Sequence, residues 1–228
     1  MPTPITPLWC CGWNSEIPVA CHGNDAATCV REVLAFDDAV KVALDFAKKH
    51  PDETLVVVTG DHETGGMTLG RAEGGIQTRV ELLAAQKRSA GVFGHLVKKM
   101  LEENKELPFE AVKPLIIESF GLNFGKDKSD PMRITSEELK KLQEVFEADR
   151  ELMRKGVADT TAYNARRRYL FPLAVRDLLA VRARVGWSSD AHTGLPTLTT
   201  AQGVHADILV GMHDNTDISN RLKKLLSK

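Results

Sequence analysis

No stretch of this sequence approaches the roughly 18 consecutive apolar residues that a membrane-spanning helix needs, which excludes a helical membrane anchor within it. Charge of one sign is lacking too. Thirty Lys+Arg stand against 31 Asp+Glu for a formal charge of -1, so there is no broad basic field to make nucleic acid the expected partner. The opening Met1-Pro2-Thr3-Pro4-Ile5-Thr6-Pro7 has neither a cation nor an apolar block and does not read as a signal peptide, so as written the chain reads as remaining in the cytoplasm. After Cys29 there is no cysteine. Cys10, Cys11, Cys21 and Cys29 sit at one end, where they cannot staple a whole domain, and Cys10-Cys11 with Cys21 is not a zinc-ribbon spacing. The thiols therefore read as buried or incidental. Internal repeats and low-complexity tracts are absent as well.

What remains is ordinary globular composition. With 228 residues, 43% hydrophobic and 27% charged, the chain can bury about 70% of its unfolded surface as one elaborated domain. Residues 1–20 hold four prolines and two tryptophans without helical or strand period and form an atypical N-terminal segment, distinct from residues 21–228. Beyond it, Asn24 or Asp25 can cap a helix with an apolar face through Val33, Phe36, Val40, Ala43, Leu44 and Ala47. Lys48-Lys49-His50 suit its negative end and Pro51 stops it. Thr54 to Thr59 is short, continuous and β-branched, the pattern of a strand buried on both faces; helix followed by such a strand predicts an α/β fold with a parallel sheet.

From about 74 to 184 the periodicity turns helical, with helices expected near 79–88, 90–104, 109–120, 136–154 and 162–182. The fourth is marked by a capping box, Thr135-Ser136-Glu137-Glu138, ahead of Leu139, Leu142, Val145 and Phe146. Short apolar segments return at Val185-Gly186-Trp187 and Ile208-Leu209-Val210, and a Lys-rich helix closes the chain. The sheet is thus expected to be interrupted by a helical insertion.

Polar groups follow the buried strand directly: Thr59-Gly60-Asp61-His62-Glu63-Thr64-Gly65-Gly66 places Asp61 and His62 at a strand's carboxyl end, where open α/β sheets bind ligands. Taken alone, the pair reads as a turn cap and a half-buried histidine. His22, just before a helix N-terminus, and His192, in a glycine- and proline-bounded loop, add two exposed imidazoles. Three histidines and an aspartate supply the ligand types of catalytic zinc.

The ordered set His-x-Asn-Asp-Ala (from His22), Thr-x-Asp-His-Glu-Thr-Gly-Gly (from Thr59), His-Thr-Gly-x-Pro (from His192) and Gly-x-His-Ala-x(4)-Gly-x-x-Asp-Asn-Thr-Asp (from Gly203) resembles the C-terminal portion of bacterial alkaline phosphatases, over roughly residues 20–228. The resemblance implies a partial three-layer parallel sheet of that type, interrupted by a helical insertion at about 74–184. It implies hydrolysis of phosphate monoesters by two zinc ions with a magnesium, through a serine alkoxide, in a family that is usually periplasmic or secreted. Carried over by motif, His22 and His192 would bind one zinc, Asp61 and His62 the other. His205 matches a position with a structural role, and His50, His95 and His213 match no ligand position.

Several positions depart from that pattern. Pro18 stands where the family places an aspartate of the first zinc, and Trp13 where it places a glutamate of the magnesium site. Glu16 is the nearby carboxylate, at a different offset. The nucleophile motif, the phosphate-gripping arginine and the remaining ligands have no counterpart, so no catalytic residue is assigned. The expectation is a portion of a zinc phosphatase, inactive or weakly active by itself, that needs its missing N-terminal half or a second copy. The first residues would then be a misread start or acquired sequence. A non-catalytic metal-binding or interaction domain is the alternative; an isomerase or phosphodiesterase of the same superfamily fits less well, because Glu63-Thr64-Gly65-Gly66 favours the monoesterase.

Overall fold

The computed structural model describes residues 18–71, 76–155 and 170–226. Trp13, Glu16, Cys10 and Cys11 lie outside them, as does the first part of the helix expected at 162–182. Pro18 opens a short helix, α1 (Pro18–His22), as proline can at a first helical position. A brief turn leads to α2 (Ala26–Lys49), whose cap is Asp25 rather than Asn24: its carboxylate accepts from Thr28 N at 3.2 Å. The helix ends at Lys49, as the cations and Pro51 predict.

Contrary to the reading of the thiols as incidental, Cys21 and Cys29 are joined by a disulfide with their Cα atoms 5.2 Å apart. The tight turn between α1 and α2 folds the chain back and brings together thiols eight residues apart, a proximity that sequence spacing does not reveal. The predicted face of α2 is only partly covered. Ala47 is buried, Phe36, Val40, Ala43 and Leu44 are half-buried, and Val33 is 59% exposed. Val30, Leu34, Val42 and Phe46 are exposed as well.

The strands are β1 (Leu55–Val58), β2 (Met67–Leu69), β3 (Val185–Trp187) and β4 (Thr200–Gly203). The α/β class stands, but both pairings among the described residues are antiparallel, not parallel: β1 with β4, Leu55 opposite Gly203, and β2 with β3, Met67 opposite Trp187. β1 is half-buried throughout instead of covered on both faces. A short β-branched run is buried on both faces only where neighbouring elements cover both, and the sequence does not say how many neighbours surround β1. At Gly203 only glycine fits: φ is +114° and an added Cβ would strike the Thr54 carbonyl.

Between β2 and β3 lie α3 (Ala90–Glu103), α4 (Lys113–Phe120), α5 (Ser136–Arg154) and α6 (Phe171–Ala183). The stretch expected as a helix at 79–88 is a 3-10 segment, Val80–Ala85, and 109–120 divides into a 3-10 turn and α4. The Thr135 capping box forms in full, and Glu138 also accepts from Arg182 at 2.7 Å, tying α5 to α6. These helices, not the strands, hold the apolar centre, in which Phe93, Phe120, Phe146 and Phe171 are wholly buried. Ile208-Leu209-Val210 is not a strand: Ala206–Leu209 is a 3-10 turn, followed by α7 (Asn215–Leu226).

Asp149 closes this helical block from within. Only 3% exposed, its carboxylate accepts from Leu170 N at 3.1 Å and Phe171 N at 2.8 Å, capping α6 from a neighbouring helix. Burial outweighs those two hydrogen bonds and pushes the carboxyl up from 3.8 to about 6. A group raised in the folded state contributes most below its unfolded value and loses that contribution as pH rises through about 6. Denaturant titrations of Asp149→Asn between pH 4 and 7 should therefore show a flatter stability profile than the unsubstituted chain; parallel profiles would discount this group.

Candidate metal centre

Three histidines from distant parts of the chain meet at one end of β1. His22 is the last residue of α1, His62 lies four residues beyond β1 and His192 sits in the loop between β3 and β4. One ring nitrogen from each lies within 4.8 Å of the other two. The Nε2 atoms of His22 and His192 are 2.9 Å apart, and the rings of His62 and His192 stack with centroids 3.6 Å apart. His22 and His62 are half-buried; His192 is exposed.

Asp61 is beside this group and not within it. Its Oδ2 is 3.5 Å from His62 Nε2, and its side chain is 89% exposed. His205 is exposed, with a left-handed backbone at φ +61°, and like His95 it stays outside the group. His50 Nδ1 pairs with Glu53 at 2.9 Å. His213, which also stays outside the group, has its Nε2 buried with no hydrogen-bond partner among the described residues.

The histidines are held by residues that sequence reasoning passed over. Glu63 spans the two loops: Oε2 accepts from Thr193 N at 3.0 Å and from the Thr193 hydroxyl, and Oε1 accepts from Gly66 N. Burial alone would raise this carboxyl, but the donors from Thr193 and Gly66 hold it below the ordinary range and so keep it an acceptor. The His62 Nδ1–H donates to the Glu63 carbonyl at 3.0 Å, which makes Nε2 the ring nitrogen available as a ligand. Asn24, 5% exposed and at φ +51°, donates through Nδ2 to Ser189 O at 3.0 Å and to Asp190 Oδ1 at 3.2 Å. It thereby holds the His22 turn to the His192 loop.

Two contacts fasten this edge to the helical block. Buried Asp25 accepts from Gln86 Nε2 and from Ala90 N, both at 2.7 Å, so one carboxylate serves α2 and α3 together. Arg176 of α6 donates to Gly23 O. The adjacency of Asn24 and Asp25 to His22 was the available signal; their partners in other elements are 61 or more residues away and left none.

Three imidazoles with an adjacent carboxylate form a nitrogen-rich donor set that fits zinc. It does not fit magnesium, which takes oxygen ligands in an octahedral arrangement. Position 18 is a proline and offers no donor atom, although 18 and 22 begin and end α1, one turn apart.

The family model for alkaline phosphatase matches residues 14–228. Alkaline phosphatase 4 of Bacillus subtilis is 30% identical over 213 residues, which is 93% of this chain and 38% of that protein. A cold-active alkaline phosphatase from the psychrophile Shewanella sp. superposes with a TM-score of 0.67 at 25% identity, covering 94% of this chain and 44% of that one. For Thermus thermophilus alkaline phosphatase the TM-score is 0.60 at 21% identity, covering 93% and 42%. The chain thus spans well under half the length of the relatives it matches.

Proposed function

The chain belongs to the alkaline phosphatase family, and on that premise we propose that it is the C-terminal portion of a zinc-dependent phosphate monoesterase fold, contributing His22, His62 and His192 with Asp61 beside them as metal-binding groups. The observation that carries this reading is the meeting of three motif histidines, 40 and 130 positions apart in sequence, at the end of β1. Bound there, zinc would act as a Lewis acid toward a phosphate oxygen and lower the pKa of an attacking hydroxyl.

The chain's own residues would bind and orient. Asn24 and Glu63 hold the loops, and the proton on His62 Nδ1 stays on the Glu63 carbonyl side so that Nε2 remains free to ligate. No serine is assigned to attack phosphorus. Ser188-Ser189-Asp190 lies by the site, but Ser189 Oγ donates to Ala191 O at 2.7 Å within its own turn and Ser188 Oγ to Gly66 O at 3.2 Å, beside the β2–β3 pair. The nucleophile, the magnesium ligands and the arginine for the phosphate would come from the rest of the fold or from a partner. The exposed Val30, Val33, Leu34, Val42 and Phe46 on α2 support a further layer of protein there. A disulfide at Cys21–Cys29 persists in oxidising compartments and supports the exported setting usual for the family.

The test is hydrolysis of p-nitrophenyl phosphate by the purified chain with zinc and magnesium, against a chelated sample and His192→Ala. We expect rates at the chelated background. Metal-dependent turnover abolished by His192→Ala would overturn the inactivity of the isolated chain and require a nucleophile within it. Pro18 at the ligand position favours a second reading, a non-catalytic metal-binding domain; it predicts no turnover even when the N-terminal portion of a relative is supplied, whereas the fragment reading predicts that turnover appears.

A further inference from the structure

We propose that the Cys21–Cys29 disulfide is a redox-controlled tie on the turn that carries His22: closed, it keeps that turn in place, and opened by a dithiol reductant it releases it. The order of the turn depends on this chain alone. The consequence for metal affinity rests on the zinc reading above, and the two are measured separately.

Position in the fold is the first argument. The bond links the residue before His22, at the end of α1, to the first turn of α2, and the loop it closes contains His22, Gly23, Asn24 and Asp25. Its Cys29 end is fixed independently. Cys29 is buried, and its N–H donates to the Asp25 carbonyl at 2.8 Å in a helix whose start Asp25 already fastens to Gln86 and Ala90. The Cys21 end has less support. α1 is five residues long, well below the roughly 12–15 at which an isolated helix begins to hold in water, so it depends on its attachments. Within the turn these are Asn24 N–H to Cys21 O at 3.0 Å and Asp25 N–H to Ala20 O at 2.9 Å; across the fold, Arg176 donates to Gly23 O. Asn24 meanwhile holds a left-handed backbone, φ +51°, which a non-glycine residue keeps only when its surroundings enforce it. The crosslink is one such constraint.

Loop length and exposure make the effect local and reversible. A crosslink constrains the unfolded chain more as its loop grows, so one that joins residues eight positions apart ranks low for global stability, and the phenylalanine centre lies in other elements. It therefore acts on the turn. Cys21 is half-buried and Cys29 buried, so a small dithiol meets the Cys21 sulfur first. Its thiolate attacks Cys21 Sγ, the S–S bond breaks, and Cys29 leaves as a thiolate that takes up a proton. The second thiol of the reductant then displaces Cys21 as a free thiol. Two electrons and two protons pass to the protein, and the dithiol becomes a disulfide.

The experiment uses the full chain with Cys10→Ser and Cys11→Ser, which leaves Cys21 and Cys29 as its cysteines. Intact mass after alkylation should count no free thiol in the monomer after oxidised glutathione, and both after dithiothreitol. On the metal-free chain, hydrogen–deuterium exchange in residues 18–29 should rise on the order of tenfold on reduction and return on reoxidation, with α5 and α6 unchanged. Zinc affinity is compared by competition with a chromogenic chelator between the oxidised chain and Cys21→Ser with Cys29→Ser, which has no thiol to compete; it should fall by about 10–100-fold, as for an outer-shell residue. Unchanged exchange in residues 18–29, or thiols that stay free under the oxidant, would overturn the tie. Loosening that spreads through α5 and α6 would make the bond a general staple and overturn its local action. Faster exchange with equal zinc affinity would overturn the link to the metal-binding groups. Zinc on neither form would overturn the zinc reading, with exchange still deciding the tie.

Discussion

Phe171→Ala is expected to lower the unfolding free energy by about 3–5 kcal/mol, the usual cost of deleting a wholly buried ring whose surroundings cannot collapse. Phe171 has no exposed surface, and its ring meets those of Phe93, Phe109 and Phe146 at centroid distances of 5.9, 6.0 and 5.2 Å. These rings belong to α3, to the 3-10 turn before α4 and to α5, so one truncation opens a void shared by most of the helical block. The backbone is not the cause, because Phe171 N would still donate to Asp149. For a chain of this length each 1 kcal/mol moves the melting temperature by about 2–4 °C, so thermal denaturation should show a fall of about 10 °C. A fall under about 3 °C would mean that the ring cluster is not the centre of stability. Since Arg176 of the same helix holds Gly23 beside His22, zinc binding should weaken in parallel.

Glu63→Ala should weaken zinc binding by about 10–100-fold while costing little global stability. The carboxylate removes no metal ligand when it goes. What is lost is the bridge that carries Thr193, and with it His192, against the loop of His62, across 130 residues of sequence. Competition with a chromogenic chelator would measure the loss, and the melting temperature of the metal-free variant would show whether the effect is local. Equal affinity in the variant would mean that stacking of His62 on His192 suffices to order the loop. Lowering pH should act in the same direction. The donors from Thr193 and Gly66 outweigh burial and depress this carboxyl, so the bridge is intact above the ordinary glutamate range and is lost as pH falls through its lowered value.

What could be read in advance follows the range of the interactions. Asp25 beside α2, the Lys48-Lys49-His50-Pro51 stop and the Thr135 capping box act over a single turn, and the elements they mark begin and end where expected. The 3-10 segment at Val80–Ala85 and the turn at Ala206–Leu209 share a hydrophobic pattern with helix and strand, so periodicity alone assigned them too regular a form. The cap on α6 was invisible because Asp149 reaches it from the far side of residues 156–169. The disulfide was missed for a related reason: a tight turn, not a spacing rule, brings Cys21 to Cys29.

By itself, the sequence determined the family, the α/β class, the places of the main helices and the identity of the histidines, because motifs and caps are local and survive without knowledge of neighbours. Only the tertiary structure decided that β1 and β2 pair antiparallel with β4 and β3, that the apolar centre lies among the helices, and that His22, His62 and His192 converge while Asp61 stays to the side. Each of those depends on contacts between residues far apart in the chain, whose closure entropy is met by burial and hydrogen bonding elsewhere in the fold, and such contacts leave no mark on the spacing of the residues that make them.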